Sequence, residues 1–241
     1  MRIELAKKLN EKIFYGWSIV LAAGLLTFFG TGFFSYTRGF FLPELAEALD
    51  GGNRFFISLG FSLATMTGAL ISPAVGRYLD RGSPKKIIFL GIVINSFFYL
   101  ALSQASSLLA FYIAVSIGLG VGMICMGGFT HHRAILNWFD HWRGRAVSVA
   151  VLGASLAGVA MPPVVESLIT NYGWQTTYQI FALVLILGLS PVVWFFFIDQ
   201  PEEIKEVRDG RHYATTNSQP EELFERDNRI WSFGELAKNP A

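Results

Sequence analysis

The chain has 241 residues, 52% of them hydrophobic and 15% charged, with a formal net charge of +1. This balance is more apolar than an ordinary soluble domain, and it supplies no global positive field for nucleic acid. One cysteine, Cys125, excludes an internal disulfide and gives no metal-ligand cluster, so no metal is expected.

In chain order, residues 1–13 are basic and lead into an apolar run, 14–37. The run is too long for a signal-peptide core and shows no convincing small-residue cleavage site, so it reads as a retained first membrane helix. Five further spans follow at 55–75, 87–102, 108–130, 146–169 and 177–198. About 20 apolar residues make a helix long enough to cross a bilayer. None of the runs alternates with period two, as a membrane barrel strand must. The polar patch at 103–107 suits a tight turn between the third and fourth spans. Residues 199–241 are polar and too poor in apolar side chains for a second folded domain. They read as a cytoplasmic linker, with room for a surface helix around 202–208.

The placement of Lys and Arg sets the direction of threading. Arg2, Lys7, Lys8, Lys12, Arg77, Arg81, Lys85, Lys86, Arg133, Arg143 and Arg145 fall on one side, and only Arg38 and Arg54 on the other. Both termini are therefore expected in the cytoplasm, in a multi-pass protein of the inner (plasma) membrane whose surroundings are the lipid bilayer.

The loop 76–86, GRYLDRGSPKK, separates two long uncharged runs. Gly76 permits a tight exit from the bilayer, and Pro84 is placed to start the third helix. Asp80, the one acid among four basic residues, has two readings: a local ion pair with Arg77, Arg81 or Lys85, or an anion at the N-terminus of a neighbouring helix.

The order of residues in this loop resembles the signature loop of the major facilitator superfamily, Gly-x-Leu-Ala-Asp-Arg-x-Gly-Arg-Lys. Gly76, Asp80, Arg81 and Lys85 stand at matching positions, while Tyr78, Leu79, Ser83 and Pro84 depart from the pattern. A second stretch resembles the start of the fifth helix in the monocarboxylate and oxalate/formate antiporter branch of that superfamily. It comprises Trp138-Phe139, Arg143-Gly144, Ala146, Gly153 and Pro162-Pro163, followed by Tyr172-Gly173-Trp174. The resemblance implies an all-α membrane fold: six transmembrane helices forming one half, a 3+3 inverted repeat, of a transporter. It further implies a small-molecule solute such as a mono- or dicarboxylate, a second six-helix half as partner, no bound cofactor, and no enzymatic step. In the family, the loop aspartate joins a charge network that stabilises one state, a role that falls here on Asp80.

Other residues stand out on physical grounds. Ala150, Ala154 and Gly158 recur every four residues and line one face of the fifth span, where small side chains let helices approach closely. Pro162 and Pro163 remove helix hydrogen bonds and are expected to kink its outer half. Arg38 is either a solute contact, gripping a carboxylate through its guanidinium, or a side chain that snorkels to the outer surface. Tyr36 and Ser155 are further solute-contact candidates. His131, beside His132, and Glu166 are candidates for proton coupling; the alternative for the histidines is an interfacial position at the end of the fourth helix.

Two competing readings remain at this level. Gly153-Ala154-Ser155 is similar to the nucleophile motif of six-helix intramembrane proteases, but the one histidine after Ser155 is His212, in the polar tail. A half-transporter without independent activity is the other.

Overall fold

The computed structural model describes residues 14–50, 53–80, 82–204 and 206–209. Arg81, the basic residues before Phe14 and the tail that contains His212 lie outside these residues. The described residues form a bundle of long helices. α1 is Gly16–Tyr36 and α2 is Arg38–Asp50; α3 is Arg54–Leu79 and α4 is Pro84–Ser103; α5 is Leu108–Trp138. Helical residues then run from Arg143 to Phe196, a length of 54 residues. A straight helix of that length would measure about 80 Å, against a hydrocarbon core of about 30 Å. The run is broken at Gly173, where φ is 79° and ψ is 164°. Only glycine adopts this backbone without strain, so the run is two antiparallel helices, α6 (143–172) and α7 (174–196). The chain therefore crosses six times, with α2 continuing the first crossing past a bend at Thr37.

Most spans run a few residues past one or both ends of their apolar cores, while the first, Gly16–Tyr36, lies inside 14–37 and is continued by α2. The fourth is the exception: it extends well beyond the expected 130, to Trp138. His131 and His132 therefore do not end that helix, because a full turn and more of amphipathic helix follows them.

The same three-helix plan occurs twice. Its first helix is interrupted late, at Thr37 after α1 and at Gly127 within α5. Its second helix opens on an arginine and holds a proline nineteen residues later (Arg54 to Pro73, Arg143 to Pro162). Its third helix follows a short turn. Three crossings per plan start the second copy from the opposite end, which makes the repeat inverted.

Local sequence sets most of the helix starts. Asn53 accepts from the Phe55 N–H at 3.0 Å. Ser83 accepts from the Lys86 N–H at 3.2 Å, with Pro84 in the first turn. Ser107 accepts from the Ala110 N–H at 3.3 Å. Each is the expected polar cap before an apolar run.

Packing holds the helices in order. α1 and α6 run parallel and meet along a face of buried residues, Ala146, Ala150, Gly153, Ala157, Met161 and Val165. Gly153 lies so close to the Gly24 carbonyl that a methyl group there would overlap it. A strict four-residue stripe drifts around a helix of 3.6 residues per turn. Accordingly, Ala150 lies in the contact, Ala154 is half-buried at its edge, and Gly158 is covered by the Tyr36 ring. Two aromatic clusters close the ends. Phe33 stacks on Phe181 at 3.8 Å and Phe41 on Tyr178 at 4.2 Å, joining α1 and α2 to α7. At the other end Tyr15 packs on Trp138 at 5.5 Å and Trp17 on Phe139 at 5.4 Å. The latter end, called the basic end below, also carries Lys85, Lys86, Arg143 and Arg145.

Candidate functional site

At the basic end Asp80 neither pairs with Arg77 or Lys85 nor caps α4, and Arg81, its third expected partner, lies outside the described residues. Asp80 closes α3, its N–H donating to the Gly76 carbonyl at 3.1 Å, and its side chain is exposed. Its carboxylate makes no hydrogen bond or ion pair among the described residues. The anion at the start of α4 is Asp199, from the far side of α7. Ser83 Oγ donates to one carboxylate oxygen, and the Lys85 N–H donates to the other at 2.9 Å. Lys85 returns the contact: its Nζ donates to the Trp194 carbonyl at 2.7 Å and sits 4.9 Å from the centre of the Trp194 ring. Thus a carboxylate occupies the positive N-terminus of α4 and an ammonium the negative C-terminus of α7, the favourable sense for both helix dipoles. Gly76 lies under the Phe129 ring of α5.

Residues just past α7 complete this end. Trp138 Nε1–H donates to the Ile198 carbonyl at 2.8 Å, and Asn137 Nδ2–H to the Asp199 carbonyl at 3.0 Å. Tyr15 O–H donates to the Phe196 carbonyl at 3.1 Å. The described start of the expected linker, through Ile204, is therefore packed on the bundle. The surface helix expected around 202–208 is instead a single 3-10 turn, Pro201–Ile204, with Pro201 and Ile204 buried. Asp199 leaves no signal in the sequence, because its partners Ser83 and Lys85 are 116 and 114 residues away.

Inside the bundle, His131 is buried at the junction of α1 and α5. Its Nδ1 lies 3.2 Å from the Met126 carbonyl and its Nε2 3.0 Å from Thr27 Oγ1. Thr130 Oγ1 donates to the Ile124 carbonyl at 3.1 Å. These side chains satisfy carbonyls freed by the Gly127 break, as irregular backbone at membrane depth requires. The His132 ring packs edge-on to His131 at 4.9 Å. Asn95 of α4 faces the same break, with Nδ2 3.0 Å from Met126 Sδ.

The solute-contact candidates are not gathered into one cluster. Arg38 opens α2 and is exposed; it lies 22 residues after Gly16, about 33 Å along the helix path and near the far rim of the hydrocarbon. Tyr36 is 43% exposed with its ring on Gly158. Ser155 and Glu166 are exposed on α6, and no hydrogen bond links them to Arg38 or to His131 among the described residues. The backbone stays helical through Pro162 and Pro163, and the one non-helical residue between Arg143 and Leu183 is Gly173. No group of three or more metal-ligating side chains occurs among the described residues.

Comparison with known proteins gives the family. The profile described as Major Facilitator Superfamily matches residues 12–240. The chain is 29% identical over 196 residues to the uncharacterized MFS-type transporter YcxA of Bacillus subtilis, covering 78% of this chain and 48% of the relative. It is 26% identical over 176 residues to the fujikurins efflux protein of Gibberella fujikuroi, covering 73% and 37%. It is 25% identical over 185 residues to monocarboxylate transporter 13 of Bos taurus, covering 73% and 39%. The chain spans about half the length, or less, of these relatives. A profile match over nearly the whole sequence, on six crossings in an inverted repeat, places this chain in the Major Facilitator Superfamily, a family of transporters rather than enzymes.

Proposed function

We propose that the chain is the six-helix half of a secondary transporter that moves a small organic anion, such as a mono- or dicarboxylate, by alternating access together with a second six-helix half. Family membership supports transport, and relatives about twice as long support the need for a partner half. One of them is named a monocarboxylate transporter. The observation that carries the anion is Arg38, a guanidinium at the far rim without an acidic partner among the described residues. Guanidinium holds a carboxylate through two parallel charge-assisted bonds. Tyr36, which flanks it on the helix, and Ser155 on α6 extend the contact surface.

The basic end faces the cytoplasm on the positive-inside rule, which puts both termini inside the plasma membrane. There Asp80, its side chain free of the α4 cap, together with Gly76, Arg81 and Lys85, latches one state of the cycle. α6 flexes along its Ala150, Ala154 and Gly158 edge and at Pro162-Pro163. His131 and Glu166 carry coupled protons.

The deciding experiment measures uptake of radiolabelled lactate and oxalate into vesicles containing the full transporter, with and without Arg38→Gln. A rise of about tenfold or more in KM, the size of one lost charge-assisted contact, is expected at an unchanged amount of folded protein. An unaltered KM for both anions removes Arg38 from the solute site. On the orientation, a thiol at position 86 should react with an impermeant reagent only from the inner face.

A further inference from the structure

α3, α4 and α5 each start at a cap of their own, but α6 does not: no side chain near Trp142 caps it. Instead the loop that leads into it, 139–142, is held by Asp209, beyond α7. One oxygen of that carboxylate accepts from the N–H groups of Asp140 at 3.0 Å and His141 at 2.7 Å, and the other from Trp142 at 3.3 Å. The Asp209 N–H donates to the Trp138 carbonyl at 3.1 Å. Asp209 is also the one non-glycine residue with positive φ among the described residues, at 58°. A left-handed aspartate is uncommon and persists where the surroundings over-determine it; here four hydrogen bonds do so.

We propose that residues 197–204 and 206–209 belong to a strap across the basic end, with Asp199 and Asp209 as its two catches, and that opening the Asp209 catch frees the 139–142 loop and the start of α6. The catches differ in kind. Asp199 directly follows α7 and is tied to α4 by Ser83 and the Lys85 N–H, with Asn137 and Trp138 binding the strap backbone beside it. Asp209 lies ten residues further on, holds an exposed loop, and is itself only half-buried. Between them Pro201 and Ile204 anchor the strap in the core. Of the two catches, Asp209 is therefore the one nearer the following chain. Opening that catch releases the 139–142 loop and leaves the Asp199 contacts at the end of α7 in place. Because α6 packs along α1, its freed start is the point where movement of the following chain enters the helix bundle.

The test reads the strap itself and needs no solute, so it stands apart from the transport reading. Cys125 is the chain's one cysteine. Cys125→Ala with Ile204→Cys leaves a single thiol at a position 3% exposed in the closed strap. In nanodiscs, maleimide should label that thiol slowly in this parent, at least tenfold faster after Asp209→Ala, and faster after Asp199→Asn. Glu202→Gln, an exposed acid on the strap that is not a catch, should leave the rate alone. Labelling of Asp209→Ala at the parent rate overturns the proposal, as does a parent that labels as fast as protein unfolded in SDS. If Asp209→Ala does not elute as a folded bundle, Asp209→Asn decides, since asparagine tolerates the positive φ and keeps one acceptor oxygen. A rate between parent and unfolded protein supports the strap, and the parent rate overturns it.

Discussion

Gly153 is the narrowest point of the α1–α6 contact, where one backbone lies directly on another. Gly153→Val should lower stability by about 1–3 kcal/mol through overpacking, measured as the thermal midpoint in detergent. Gly144 on the same helix has open space around the position of a Cβ. Gly144→Ala should therefore be neutral or stabilising by up to about 1 kcal/mol, the helix-propensity gain. Trp138 is fully buried, and its indole N–H holds the Ile198 carbonyl. Trp138→Phe keeps most of the ring volume but orphans that carbonyl, at a cost of about 1–3 kcal/mol in the same measurement. Gly153 and Trp138 stand in the sequence within the stretch that carries the family resemblance, whereas the four-residue stripe of Ala150, Ala154 and Gly158 passes Gly153 by. The partners of Asp199 and Asp209 leave no local pattern. A hydrogen-bond partner drawn from 67 or 114 residues away has no spacing signature to detect.

At the scale of elements, apolar length marked all six crossings but not their ends. The fourth span looked complete at 130 because His131, His132 and Arg133 interrupt its apolar run. The helix continues because His131 finds Thr27 and the Met126 carbonyl, partners that α1 and the Gly127 break supply. The division between α6 and α7 rests on one glycine in a conformation that other residues resist. Gly173→Ala should cost about 1–3 kcal/mol and lower the thermal midpoint. The prolines behave differently from a simple breaker: Pro73 and Pro162 sit in helical backbone at equivalent places in the two repeats. In lipid, neighbouring helices re-satisfy the carbonyls that proline leaves unpaired.

For the whole molecule, many large apolar side chains point outward, Leu70 at 71% exposed and Leu187 at 70% among them. In water such a surface would aggregate, so the protein should remain monodisperse only in detergent or lipid, as size-exclusion chromatography can show. Asp80, Ser83 and the segments 139–142 and 197–204 share one end, and the turns at 104–107 and Gly173 the other. Single thiols placed at Lys86 and at Ser106 should therefore be reached by an impermeant reagent from opposite sides of the membrane. The sequence by itself determined the all-helical membrane class, the count of crossings and the family resemblance, because apolar length, basic loops and a short signature loop are properties of contiguous residues. Tertiary structure alone decided which acid caps α4, how the fourth helix continues past two histidines, and how the segment after α7 is tied down. Each of these depends on groups brought together across the bundle, and a backbone N–H or carbonyl inside it accepts whichever partner the fold delivers.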